Sequence, residues 1–284
     1  MESQTKHQTT SGQLFIVATP IGNLADITFR AVETLKTVHA IAAEDTRFSR
    51  KLLQHYGIET PMIALHEHNE ASKSEALLKR LQDGEDIALI SDAGTPLISD
   101  PGYRLVLRLR QAGIRVTPIP GASSVLAALC AAGLPTDHFR FAGFLPRSGK
   151  SRSVELKRIA SSDETTVLLE SPRRLLATLR DFEPLLGDTR EIVIARELTK
   201  LFEEFISGSP ADVIGHFEEH APRGEMVLII GPASEEAIAL TDQDILNYLA
   251  NESMQLLPPS ARAKAVAKTL DVSKSRVYAL MVNE

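Results

Sequence analysis

Cysteine is nearly missing from this chain of 284 residues: there is one, Cys130. A lone thiol forms no internal disulfide, which suits a reducing compartment. Its place in the apolar run VLAALCAAGL predicts a small buried hydrophobe. No apolar run approaches the roughly 18 residues that a membrane-spanning helix needs, and the opening MESQTKHQTTSGQ lacks the apolar centre of a secretory signal. These absences predict a cytoplasmic protein that does not engage a membrane. Positive charge is not in excess either: 31 Lys and Arg stand against 37 Asp and Glu, a net charge of −6. That argues against indiscriminate binding to polyanions. The Gly-x-Gly-x-x-Gly turn of a dinucleotide site is absent. GFLPRSGKS (143–151) is no phosphate-binding P-loop, because five residues separate Gly143 from Gly149 where that motif has four, and one is Pro146. HEH (66–68) has a metal-like spacing with no second cluster of ligands, so no metal is predicted.

What remains is an ordinary soluble composition, 43 % hydrophobic and 24 % charged, long enough for about two domains. Over residues 1–130, short apolar stretches alternate with amphipathic ones. LFIVAT, AIAAED, MIALH, IALISD and RVTPIP read as strands. TFRAVETLKTV, TRFSRKLLQHYG, ASKSEALLKRLQDG and GYRLVLRLRQAG read as helices, three of them closed by Gly. Strict alternation predicts a parallel sheet covered on both faces. Over 131–236 the pattern changes. The strands REIVIAREL (190–198) and FEEFIS (202–207) lie too close in sequence for a crossover, so they pair antiparallel in a mixed sheet. Over 237–284 the strands stop, and two helices around Leu270–Asp271–Val272 follow the spacing of a helix-turn-helix. A small helical cap is the alternative for this basic tail.

Ligands of open α/β sheets sit beyond the C-terminal strand ends. Here those ends carry TPIGNLADIT, EDTR, SDAGTPLISDPG and PGASS. Loops rich in Gly, Pro and small polar residues bring backbone groups close to a ligand. Four of them at one edge predict a cleft.

VATPIGNLADITFRA, AEDTR, SDAGTPLISDPG and PGASS, continued by ESPRR and GEMVLIIG, resemble the tetrapyrrole-methylase superfamily of S-adenosylmethionine-dependent enzymes. The resemblance covers about the first 230 residues and is closest to the family's ribosomal branch, which methylates the ribose 2′-hydroxyl of small-subunit rRNA. It implies an α/β, two-domain fold with the cofactor bent into the cleft between domains, and a homodimer. It implies that Asp92, Ala93, Gly94 and Thr95 line the cofactor, with Ser123 and Ser124 as a second contact. Leu169 or Glu170, Leu198, and Glu225 or Met226 would hold its adenosine half. The resemblance further implies a cytidine in the decoding region, on free rRNA or on the 30S subunit.

Methyl transfer to a hydroxyl needs a proton acceptor. Glu44, Asp45, Asp100 and Glu197 are the cleft-edge candidates. Asp45 is taken first and Glu197 beside it, although Asp45 is equally placed to cap the next helix. Arg47, Arg50, Lys51, Arg147, Lys150, Arg173 and Arg174 form basic patches next to these loops, as phosphate contacts would, or as a merely solvated surface. Two other readings stay open: a small-molecule methylase acting on a tetrapyrrole, and a metabolite-sensing DNA-binding regulator.

Overall fold

A computed structural model describes residues 11–66, 68–233, 242–250, 254, 257–270 and 272–282. Outside them lie the polar opening up to Thr10, Glu67 of the HEH stretch, the 236/237 boundary and Asp271 of the expected turn.

Five strands, β1 (Gln13–Val17), β2 (Ala40–Ala43), β3 (Met62–Ala64), β4 (Ile87–Ile90) and β5 (Arg115–Ile119), form one sheet in the order β3-β2-β4-β1-β5. Every pairing is parallel. The crossovers are α1 (Phe29–Thr37), α2 (Thr46–His55), α3 (Glu70–Gln82) and α4 (Tyr103–Gln111). Successive strand residues face opposite sides. Ile87 and Leu89 therefore pack with Leu105 and Leu109 of α4, while Ala88 and Ile90 pack with Leu35 and Leu53 of α1 and α2. Both faces are buried, as a parallel sheet requires.

A second sheet holds β6 (Phe139–Phe144), β7 (Thr165–Glu170), β8 (Ile192–Arg196), β9 (Glu204–Gly208) and β10 (Met226–Ile230), in the order β6-β7-β10-β8-β9. Only β6 and β7 run parallel; the other three pairings are antiparallel. The short link between β8 and β9 produces the predicted antiparallel pair. Helices α6 (Gly149–Ala160), α7 (Pro172–Leu186) and α8 (Pro210–Glu219) cover one face, burying Leu156, Leu179 and Phe217 against Ile194 and Leu228.

The other face is covered by α5 (Ser124–Ala131), whose Val125, Ala128 and Leu129 pack with Val167, Val193 and Val227. Thus α5, which follows the last strand of the first sheet, packs on the second. This corrects the expectation for Cys130. With positions 125, 128 and 129 turned inward, the helical period leaves Cys130 on the outer side, where it is exposed.

Helices α9 (Asp242–Leu249), α10 (Pro259–Thr269) and α11 (Lys274–Val282) close on a core of their own, with Ile245, Leu249, Ala263, Val266 and Val277 buried together. Among the described residues no helix is long and apolar enough to cross a membrane.

Candidate active site

The cleft begins where β1 and β4, neighbours in the first sheet, run out together. Thr19 and Gly94 exchange backbone hydrogen bonds, Thr19 N to Gly94 O at 2.9 Å and Gly94 N to Thr19 O at 3.1 Å. Gly94 sits at φ 81°, where a side chain is strained, and a Cβ there would stand 3.2 Å from Ile21. The Thr95 hydroxyl donates to Ala122 O at 3.2 Å, tying this loop to the one after β5. Asp92 Oδ1 accepts from the backbone N–H of Asp45 at 3.2 Å, tying it to the loop after β2. The four loops are stitched into one rim.

Against that rim stands the second sheet. Between them lies a cavity of about 480 Å³, within the range of small-ligand clefts. Its first-domain wall includes Ile21, Glu44, Asp92, Ala93, Asp100 and Ser124. Its second-domain wall includes Phe144, Leu169, Ala195, Leu198, Met226 and Val227. One wall is acidic and small, the other mostly apolar.

Six of the nine residues expected to hold the cofactor line this cavity: Asp92, Ala93, Ser124, Leu169, Leu198 and Glu225. Gly94, Thr95 and Ser123 lie beside it in supporting positions. The Ser123 hydroxyl accepts from Leu126 N at 3.4 Å as the N-cap of α5. Phe144, Gly224 and Val227 also line the cavity and escaped the sequence reading. Gly224 had a signal of sorts, a glycine just before a strand, at φ 79° and packed against Glu197.

The carboxylates divide into two kinds. Asp45 caps α2, accepting from Arg47 N at 2.8 Å and pairing with the Arg47 guanidinium at 2.9 Å. These bonds hold it down at a pKa of about 2. Glu197 accepts from Lys200 Nζ and from Glu225 N, both at 2.9 Å. The Lys200 bond, followed by the Glu225 N–H, holds its carboxyl below the usual range. Neither side chain lines the cavity. The structure gives both of these candidate bases another task, fastening loops.

Glu44, Asp92 and Asp100 are the opposite kind. All three line the cavity, and all three carboxyls are pushed up, first by burial; like charge adds to it, from Asp100, Asp92 and Asp45 at Glu44, from Asp45 at Asp92 and from Asp92 at Asp100. Among the described residues none of the three has a cationic partner. A ligand bearing positive charge would compensate them, since opposite charges nearby favour the ionised form.

The basic candidates follow three strand ends on this side. Arg47, Arg50 and Lys51 are exposed on α2; Arg147 and Lys150 are exposed at the start of α6, and Arg173 at the start of α7. Arg47 is paired with Asp45 yet 88 % exposed. Arg174 departs from the expectation. It is half-buried, donating to Leu145 O at 2.8 Å and lying 3.5 Å from Glu170, which turns it into a strut. Of the HEH stretch, Glu67 is outside the described residues, and the described ones contain no group of three metal-ligating side chains.

Comparison with known proteins agrees with this architecture. Residues 13–213 match the family model described as Tetrapyrrole (Corrin/Porphyrin) Methylases. A Synechocystis protein, ribosomal RNA small subunit methyltransferase I, is 45 % identical over 270 residues, covering 95 % of this chain and 97 % of its own. Its Escherichia coli O157:H7 counterpart is 48 % identical over 284 residues, covering 98 % and 97 %. Among solved structures, uroporphyrin-III C-methyltransferase from Thermus thermophilus, complexed with S-adenyl homocysteine, superposes with a TM-score of 0.56. Its sequence identity is 18 %, over 78 % of this chain and 97 % of that one. At that identity the likeness speaks for the fold alone, whereas the sequence matches run through strands, loops and terminal helices alike. The chain belongs to the tetrapyrrole methylase family.

Proposed function

We propose that this protein is an S-adenosylmethionine-dependent methyltransferase of small-subunit ribosomal RNA, and that its acceptor is the 2′-hydroxyl of a cytidine in the decoding region. The two-walled cleft carries this reading. Asp92 and Glu44 offer negative charge to a sulfonium and an ammonium, and Ser124 offers a hydroxyl. Leu169, Leu198, Met226 and Val227 offer a flat apolar bed for an adenine. When bound, the donor supplies an activated methyl group; the protein supplies position, desolvation and a proton acceptor. The RNA half of the reading rests on relatives with ribosomal RNA in their names that match nearly the whole chain.

Asp45 and Glu197 keep the rim in place instead of taking the proton. The proton goes to Asp100, which lines the cavity and whose carboxyl is pushed up from its usual value, chiefly by burial. Arg47, Arg50, Lys51, Arg147, Lys150 and Arg173 hold RNA phosphates, with Arg174 bracing the loop that presents them. The basic face of α10 and α11 adds a further contact with nucleic acid. The working form is a cytoplasmic homodimer acting on rRNA or the assembled 30S subunit.

The test is direct. The protein is incubated with methyl-labelled S-adenosylmethionine and small ribosomal subunits, and the RNA is digested to nucleosides. Label in 2′-O-methylcytidine is expected. Label appearing only in a parallel incubation with a uroporphyrinogen-type macrocycle, or donor binding with no transfer to either acceptor, overturns the reading.

A further inference from the structure

A second cavity, of about 580 Å³, opens beside the first on the N-terminal domain. The two share Glu44, Ser99 and Asp100, so a group in one meets a group in the other across that rim. The rim is built under strain: Leu97 and Ser99 are non-glycine residues at φ 72° and 69°. Such conformations persist where surrounding structure enforces them, and they cluster at functional sites. At Gly102, φ 123°, an added Cβ would stand 3.0 Å from Leu89, so the missing side chain lets α4 begin close against β4. Tyr103 and Arg104, the first residues of α4, line the cavity.

The remaining wall is polar, from His68 and Glu70. Glu70 is buried and spends Oε1 on Leu105 N at 3.1 Å, so it holds the α4 terminus. Tyr103 is different. The residue is 68 % exposed although it lines a concave site, a large side chain kept in water. An aromatic ring beside an arginine suits a planar heterocycle with a phosphate attached. A multiply carboxylated macrocycle suits it poorly, because Glu44 and Asp100 would repel its acid groups.

We propose that this second cavity is a nucleoside subsite. A single nucleotide, turned out of its stack, lays its base on Tyr103 and its ribose at the Glu44–Asp100 rim, with a flanking phosphate at Arg104. The proposal rests on the methyltransferase reading and names how its acceptor is held. In the transfer, the ribose oxygen forms a bond to the methyl carbon as the carbon–sulfur bond breaks. The hydroxyl proton passes to the Asp100 carboxylate, and the thioether leaves neutral. Extrusion is required because a base inside a duplex exposes neither its face nor its sugar to such a pocket.

The experiment uses the full chain, saturated with S-adenosyl homocysteine, and a fluorescent single-stranded oligocytidine read by anisotropy. Tyr103→Ala is expected to weaken oligocytidine binding by roughly fivefold or more, the loss of one stacking platform. Tyr103→Phe is expected to restore it. Arg104→Ala lowers the salt slope of binding by about one counterion. S-adenosyl homocysteine affinity, measured by calorimetry, stays at the wild-type value in all three, which also certifies folding. A 4-thiouridine placed within the oligonucleotide is expected to cross-link to residues 98–104. Unchanged oligocytidine affinity in Tyr103→Ala, or a cross-link confined to other segments, overturns the subsite while leaving the methyltransferase reading standing. Wild-type protein that binds the cofactor product and no RNA overturns both.

Discussion

The two sheets face each other across one cleft, and they treat charge in opposite ways. In the second sheet the buried cation Arg190 is fully engaged. It donates to Gly231 O at 2.6 Å, and to Ser162, Ala160 and Ile159 carbonyls at 3.1 to 3.3 Å. Burial still pushes its pKa down to about 10. In the first sheet Glu44, Asp92 and Asp100 crowd together without a cationic partner among the described residues. A satisfied buried group stabilises architecture, whereas an uncompensated cluster marks the place where a ligand finishes the electrostatics. The second domain lines the cleft mostly with apolar side chains; the first domain carries its acidic edge.

The strongest way to break that comparison is at the acidic edge. Asp100→Asn is expected to lower kcat by about a hundred- to ten-thousandfold, the usual worth of a positioned base. Donor affinity should stay within a few-fold by calorimetry. An equal loss in both would make Asp100 a holder of the donor. Next comes the satisfied cation. Arg190→Met strands buried carbonyls and is expected to cost about 2–4 kcal/mol in urea unfolding, with donor affinity of the folded protein unchanged. A smaller effect follows at the rim: Gly94→Val forces a branched side chain to φ 81° against Ile21. It should cost about 1–3 kcal/mol, read in donor affinity and melting temperature together.

The difference in charge also has a pH signature. The three first-domain carboxyls have folded pKa values above their unfolded ones. Their contribution is therefore fully present below the unfolded carboxylate range, and it is lost as pH rises through the raised folded values. A cationic donor offsets that loss. The rise in melting temperature on adding S-adenosylmethionine should thus grow as pH climbs from the ordinary carboxylate range towards neutrality, and a flat profile would contradict it. The smallest effect concerns the tail. Because α9, α10 and α11 bury their apolar side chains in a cluster of their own, deleting residues 242–284 is expected to leave donor affinity within about twofold of wild type. RNA affinity is expected to drop.

Much of this was legible in the sequence because it is local. Alternating strands and helices over residues 13–119 follow from periodicity and from loops closed by glycine. The short span between β8 and β9 leaves no room for a crossover, so their antiparallel pairing follows as well. TPIGNLADIT, EDTR, SDAGTPLISDPG and PGASS were readable together as the edge of a cleft, and Asp92, Ala93 and Ser124, singled out by the family resemblance, do line it. The misjudged residues share one cause. Cys130 looked buried because its neighbours are apolar, but the side on which a helix packs is set by what it meets. For Asp45 the capping reading, already open in the sequence, is the one the structure displays, while Arg47 and Lys200 reaching back to Asp45 and Glu197 could not be read from the sequence.

The amino-acid order by itself determined the class of each sheet, the position of the loops and the family to which they belong, since strand propensity, helix ends and turn chemistry act over a few residues. Only the tertiary structure decided which carboxylates gather in the cleft. Glu44 follows β2, and Asp92 and Asp100 follow β4; they converge because those strands pair side by side, Ala43 against Ile90. The cleft itself exists only because the second sheet turns Leu169, Ala195 and Val227 towards that edge. Burial and like charge are properties of that assembly, and they separate the cleft carboxylates from a helix cap such as Asp45.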